Sequence, residues 1–182
     1  MNPRPTRLTS LFEKRVSMVT EVKRMRIAIG CDEAAYELKE ILRQHVAATG
    51  AQIEDYGTFD ATPVLYPDVA FAVAEAVAAG KHDRAILLCG TGIGMAISAN
   101  KVAGIRAAQA HDTYSAGRAR MSNDAQIVTI GARVIGAELA KAIVDTFLAS
   151  DFQGARSADK IARITAYEST QAAEARGTRI DR

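Results

Sequence analysis

A chain of 182 residues is long enough for one domain with a substantial core and too short for two of ordinary size. With 48% apolar and 24% charged residues it has the make-up of a soluble globular protein, and the scarcity of aromatics points to an interior of Ala, Val and Ile. The formal net charge of +2 is uneven: residues 1–24 carry six cations (Arg4, Arg7, Lys14, Arg15, Lys23, Arg24) against Glu13 and Glu21, a balance of +4 that leaves −2 for the rest and argues against a nucleic-acid-binding body.

Residues 1–24 lack the continuous apolar core of a secretory signal, and Glu13 and Glu21 argue against a transit peptide. Because Met25 opens the first strand directly, the segment reads as a disordered leader or an over-extended start. From there strands and helices alternate. Strands are expected at Arg26 to Gly30, Gln52 to Tyr56, Arg84 to Cys89, Ile105 to Ala110 and Gln126 to Gly131. Helices are expected at Ala34 to Ala48, Pro67 to Ala79, Gly94 to Val102, Thr113 to Met121 and Ala137 to Ala149. Pro67 and Asp68 mark one helix start, Gly80 its end, and Asp112 is placed to cap the fourth helix. After the turn at Asp151 to Gly154, Arg156 to Glu174 reads as a polar, Ala-rich terminal helix. Such a helix buries little alone, so it is expected to pack on a partner subunit or across an active-site mouth; residues 175–182 read as a tail.

This alternation predicts a single α/β domain over residues 25–174, Rossmann-like or flavodoxin-like, with a five-stranded parallel sheet and helices on both faces. Periodicity does not fix the strand order. Cys31 and Cys89 are the only cysteines and form no framework of paired spacings, which fits a reducing cytoplasm. No apolar run approaches a membrane span.

The chemistry-bearing residues fall at the carboxyl ends of predicted strands, where open α/β sheets bind ligands. Cys31, Asp32 and Glu33 follow the first strand; Cys89 and the loop Gly90-Thr91-Gly92-Ile93-Gly94 follow the third; His111 and Asp112 follow the fourth; Arg133 follows the fifth. Successive glycines let backbone N–H groups converge on an anion, and the start of the following helix favours both that anion and a thiolate at Cys89. A base beside an anion hole suits proton abstraction next to a carbonyl. Against this, a strand-to-helix turn needs glycine anyway, a lone Cys is often a small buried hydrophobe, Asp32 and Asp112 serve as helix caps, and His111 reads equally as a satisfied strand-end residue. Ser122-Asn123-Asp124 reads as a turn. No cluster of His, Cys and carboxylate shows metal-ligand spacing.

Taken together, Met25-Arg-Ile-Ala-Ile-Gly-Cys-Asp32, Tyr66-Pro67-Asp68, Leu88-Cys89-Gly-Thr-Gly-Ile-Gly94, Ile97-Ser-Ala-Asn-Lys-Val102, Gly104-Ile-Arg-Ala-Ala, His111-Asp-Thr-Tyr-Ser-Ala116 and Gly131-Ala-Arg133-Val-Ile-Gly136 resemble the ribose-5-phosphate isomerase B and galactose-6-phosphate isomerase family, from Met25 to the terminal helix. The resemblance implies a cytoplasmic, cofactor-free and metal-independent aldose–ketose isomerase, working on a small phosphorylated sugar through an enediolate. It also implies active sites shared between the subunits of a homodimer, or of a tetramer built of dimers. Carried over, Cys89 is the base at C1 and C2, Thr91 moves a proton between O1 and O2, and the amides of Gly90, Gly92, Ile93 and Gly94 hold the enediolate. Asp32 binds sugar hydroxyls, Asn123 adds to the anion hole, and Arg133, Arg156 and Lys160 surround the phosphate.

Three positions depart from the family's ribose-phosphate pattern. Glu33 stands where a His commonly follows the aspartate, Ser122 stands at the position of the ring-opening His, and Lys160 replaces an Arg, offering a point charge without a bidentate fork. A tetrose phosphorylated on O4 cannot close a furanose and needs no ring-opening group. The expected substrate is therefore a tetrose 4-phosphate such as the erythrose and erythrulose 4-phosphate pair, matching the family's erythrulose 4-phosphate branch; Glu33 is then expected to bind a hydroxyl or Lys160. Ribose 5-phosphate is the alternative. A non-catalytic phosphate- or nucleotide-binding module is a further one, although Gly90, Gly92 and Gly94 do not form G-x-G-x-x-G.

Overall fold

The computed structural model describes Val22 and residues 25–177; apart from Val22, the expected leader lies outside the described residues, as does the tail beyond Gly177. The elements are β1 (Arg26–Cys31), a 3-10 turn (Glu33–Ala35), α1 (Tyr36–Ala47), β2 (Gln52–Asp55), α2 (Tyr66–Ala78), β3 (Arg84–Cys89), α3 (Ile93–Ala99), β4 (Ala107–Gln109), α4 (Thr113–Asn123), β5 (Ile127–Gly131), α5 (Ala137–Leu148), a 3-10 turn (Ala155–Ser157) and α6 (Ala158–Gly177).

All pairings are parallel, and the strand order is β2-β1-β3-β5-β4. Strand polarity explains which strands are central. β1, β3 and β5 are apolar and buried almost throughout, as strands covered on both faces must be, whereas Gln52-Ile-Glu-Asp55 and Ala107-Ala-Gln109 tolerate an edge. The chain passes over the place of β5 to lay down β4 and then returns, so the last two strands are exchanged relative to a flavodoxin-like order. β4 is shorter than expected because the Ile105 amide bonds the Val102 carbonyl and the Arg106 amide bonds Gln126 Oε1, which takes both out of the ladder. The first helix starts later than expected because Glu33–Ala35 forms a separate tight turn.

Two apolar layers cover the sheet. Leu38, Leu42 and Val46 of α1 pack with Ala116 of α4 and Ile143, Val144 and Phe147 of α5 against one face. Val73 and Val77 of α2 and Met95 and Ala99 of α3 cover the other. Crossovers between parallel strands are right-handed, so a connection that changes direction along the sheet must change face. The chain leaves β1 toward α1 and leaves the neighbouring β3 toward α3 on the opposite face, which opens a crevice between their carboxyl ends. The terminal helix α6 stands exposed along most of its length. Glu168 ties it to the body by accepting the Gly104 N–H at 3.3 Å.

One buried cation anchors the loop from β2 to α2. Lys39 of α1 is 0% exposed and donates to Asp55 Oδ2 at 2.6 Å and to the Thr58 carbonyl at 2.7 Å, with Glu40 at 3.1 Å. Burial opposes the charge, but the bonds to Asp55 and Glu40 outweigh it and hold the Lys39 ammonium above its ordinary range. Lys39→Met should therefore lower stability by about 3 kcal/mol, the usual cost of removing one partner of a buried pair. The urea unfolding midpoint measures it; an unchanged midpoint would show that the pair contributes nothing.

Candidate active site

Cys89 ends β3, and its Sγ accepts the Gly92 N–H at 3.1 Å. The loop between them is built onto the end of β5. Gly92 has φ 79°, and a Cβ there would lie 3.0–3.2 Å from the backbone of Ile130 and Gly131, so only glycine fits both the conformation and the gap. Thr129 Oγ1 donates to the Gly92 carbonyl at 2.9 Å, Gln109 Nε2 to the Thr91 carbonyl at 2.6 Å, and the Arg133 amide to the Gly90 carbonyl at 3.0 Å. Thr91 Oγ1 accepts the Ile93 N–H at 3.3 Å. Of the amides expected to hold an enediolate, those of Gly92 and Ile93 thus already have partners inside the loop. At Gly94 a Cβ would lie 2.6 Å from the ring of Tyr66, so the ring rests directly on the helix backbone.

Asp32 follows β1 on the other side of the crevice. It precedes the Glu33–Ala35 turn without a side-chain cap bond, and its Oδ1 is buried with no partner among the described residues. Burial raises the Asp32 carboxyl above the usual carboxylate range and the Glu33 charge adds to this, against the pull of the Ala34 and Ala35 amides and Arg133. Glu33 Oε2 accepts the Val64 N–H at 3.2 Å. A cleft of about 480 Å³ gathers these groups: Asp32, Glu33, Tyr66, Cys89, Gly90, Thr91, Ile93, Gly94 and Arg133 line it together with Ala34 and Ile97.

The two cysteines part company. Cys31 is 0% exposed and packs in the layer of α1 and α5, where burial pushes its thiol up to about 12; Cys89 is 5% exposed, packs in the layer of α2 and α3, and borders the cleft.

Five expected residues do not line this cleft: Gly92, which is buried against the end of β5, and four that lie elsewhere. Ser122 and Asn123 form the last turn of α4, where Ser122 Oγ contacts the Arg118 guanidinium and the Asn123 carbonyl accepts from Arg106 Nε at 3.0 Å. Arg156 sits in the turn before α6 and Lys160 on α6, both exposed. Asp112 caps α4 by accepting the Ser115 N–H at 2.7 Å, and His111 Nε2 accepts the Gly131 N–H at 2.9 Å, so both do structural work. Tyr66 was given no role by sequence reasoning although its Tyr-Pro-Asp motif was visible; its place in the cleft follows from starting α2 opposite Gly94. Among the described residues no group of three or more His, Cys, Asp and Glu is arranged to hold a metal ion, and no helix is long and apolar enough to cross a membrane.

The pattern of the Ribose/Galactose Isomerase family matches residues 27–164. "Ribose-5-P isomerase B" of Listeria innocua is 56% identical over 137 residues, which cover 75% of this chain and 93% of that protein. "D-erythrulose-4-phosphate isomerase" of Pectobacterium atrosepticum is 54% identical over 146 residues, 79% of this chain and 95% of that one. Among solved structures, ribose-5-phosphate isomerase B of Clostridium thermocellum superposes with a TM-score of 0.79 at 44% identity, covering 81% of this chain and 99% of the other. The chain belongs to the Ribose/Galactose Isomerase family and is a sugar-phosphate isomerase, which sets aside the reading as a non-catalytic nucleotide-binding module.

The contrast between the thiols is directly measurable. Iodoacetamide on the native protein at pH 8 should label Cys89 and leave Cys31 unmodified until the chain is unfolded, as read by peptide mass spectrometry. Equal labelling of both in the native state would contradict the burial described for Cys31.

Proposed function

We propose that this member of the Ribose/Galactose Isomerase family interconverts a tetrose 4-phosphate aldose with its ketose through an enediolate, in a reducing cytoplasm and without a metal or other cofactor. The observation that carries the chemistry is the pairing, in one cleft, of a thiol with a glycine loop and an unpartnered buried carboxylate oxygen.

Cys89 as thiolate removes the proton on C2 of the open-chain aldose; the C–H electron pair forms the C1–C2 double bond, and the carbonyl pair moves onto O1. Gly90, Thr91 and Gly94 present amides toward that oxygen. Thr91 passes the O2 proton to O1, and the Cys89 thiol returns its proton to C1 as the carbonyl forms at C2. No atom is gained or lost. Asp32 Oδ1, buried and without a partner among the described residues, accepts a sugar hydroxyl, and Arg133 faces the phosphate. Ser122, Asn123, Arg156 and Lys160 lie away from their own cleft, so a second copy of the chain supplies them in a homodimer, or in a tetramer of such dimers.

Substrate length turns on one position. Ser122 stands at the position where the resemblance implies a ring-opening His, and a serine is a poor group for moving a proton onto or off a ring oxygen. A 4-phosphorylated tetrose has no ring to open. The erythrulose-phosphate isomerase of Pectobacterium supports this reading; the Listeria relative, similar to the same extent, supports ribose 5-phosphate as the second.

Assays of four-, five- and six-carbon sugar phosphates should show the tetrose favoured over ribose 5-phosphate by roughly 10²- to 10⁴-fold in kcat/KM, the usual worth of general acid–base help. Parity, or a preference for ribose, would overturn the substrate assignment. Cys89→Ser should cut kcat by a similar factor with the fold intact, and chelator should change nothing. If the sites are composite, mixing inactive Cys89→Ser and Arg156→Ala proteins should restore activity through hybrid dimers, whereas a fully active monomer would exclude sharing.

A further inference from the structure

The loop of residues 56–65 between β2 and α2 runs as a strap beside the cleft and is tied down at both ends. At its start the Lys39 ammonium holds the Thr58 carbonyl, Asp55 Oδ1 accepts the Gly57 N–H at 2.9 Å, and the Thr58 amide bonds the Cys31 carbonyl at 2.8 Å. Near its far end the Val64 N–H has one partner, Glu33 Oε2 at 3.2 Å. Two residues later the strap delivers Tyr66, whose ring rests on Gly94 and forms a wall of the cleft. The adjacent acids are therefore divided: Asp32 keeps a buried oxygen without a partner, whereas Glu33 is engaged by strap backbone.

We propose that Glu33 is a positioning residue which, by accepting the Val64 N–H, holds the strap and Tyr66 against Gly94 and so sets the cleft to the length of a short sugar phosphate. Acceptance of an N–H is what this role needs. A glutamine carbonyl supplies it as a carboxylate does; an alanine supplies nothing. α2 still fixes the backbone from Tyr66 onward, but without the latch the segment just before it is untied, the Tyr66 ring swings off Gly94, and the cleft lengthens toward the bulk of a pentose phosphate. The chain-length part of this inference rests on the tetrose reading above; the latch itself does not.

The test compares wild type, Glu33→Gln and Glu33→Ala in the full chain. Hydrogen–deuterium exchange follows the Val64 amide, and kcat and KM are measured with erythrose 4-phosphate and ribose 5-phosphate. Glu33→Ala should speed exchange at Val64 about tenfold, the scale of one lost hydrogen bond, and should raise KM for the tetrose more than it lowers kcat. The ribose-to-tetrose ratio of kcat/KM should rise about tenfold as well. Glu33→Gln should retain the wild-type ratio and the Val64 protection. Gln and Ala variants that behave alike in both measurements, or a Glu33→Ala protein with wild-type protection, would overturn the latch. Wild-type protein with no preference for the tetrose would instead refute the substrate reading, and the exchange result would still decide whether Glu33 holds the strap.

Discussion

The candidate cleft depends on one topological constraint: the crossover from β1 and the crossover from β3 must leave for opposite faces of the sheet. Right-handed connections enforce this once β2 lies on one side of β1 and the later strands lie on the other. The two loops then diverge, and the gap between them is where Asp32 meets Cys89 and its glycines. Neither loop makes the site alone. The β3 loop is shaped from outside, by β5: the backbone of Ile130 and Gly131 lies so close under Gly92 that no side chain fits, and Thr129 and Gln109 hold the Gly92 and Thr91 carbonyls turned away from the cleft. The long route over β5 to β4 and back thus ends by placing a backbone floor beneath the glycine loop.

Register decides which cysteine borders the cleft. Cys31 of β1 pairs with Leu88 of β3, so Cys89 is one residue out of step with it. Side chains alternate between faces along a strand, and the two thiols therefore enter opposite layers. One is sealed where charge is heavily disfavoured; the other touches a loop amide at the edge of the cleft. A shift of one residue in the pairing of β1 with β3 would exchange their environments.

Much of this was legible in the chain. The alternation of short β-rich runs with helical patterns gives the elements to within a few residues, because β1, β3 and β5 are continuous apolar runs and α1, α2 and α5 each bury an apolar stripe. Strand order was not legible from periodicity, since a period states which face is apolar and not which strand lies alongside. Strand polarity held the missing information: only Gln52 to Asp55 and Ala107 to Gln109 are polar enough for edges. Asp32, Glu33, Cys89, Thr91 and Arg133 could be grouped in advance because strand ends converge, and they line one cleft. Ser122, Asn123, Arg156 and Lys160 rested on resemblance, and within one chain they stand apart from the cleft. Tyr66 escaped because its role is set by contact with Gly94, a residue 28 positions away that reads in isolation as another helix-start glycine.

The Asp32-Glu33 pair shows why adjacent identical charges need not share a task. A buried acceptor without a partner costs about 1–3 kcal/mol, and folding alone would remove it by rotating the side chain onto a nearby amide. Asp32 follows β1 without capping the turn that begins there, so the cost is retained where a ligand hydroxyl can cancel it. Glu33, one residue further and on the mouth side, reaches the Val64 amide and is satisfied before any ligand arrives. Its negative charge then acts on Asp32 as a neighbour, reinforcing the rise in the Asp32 carboxyl that burial begins.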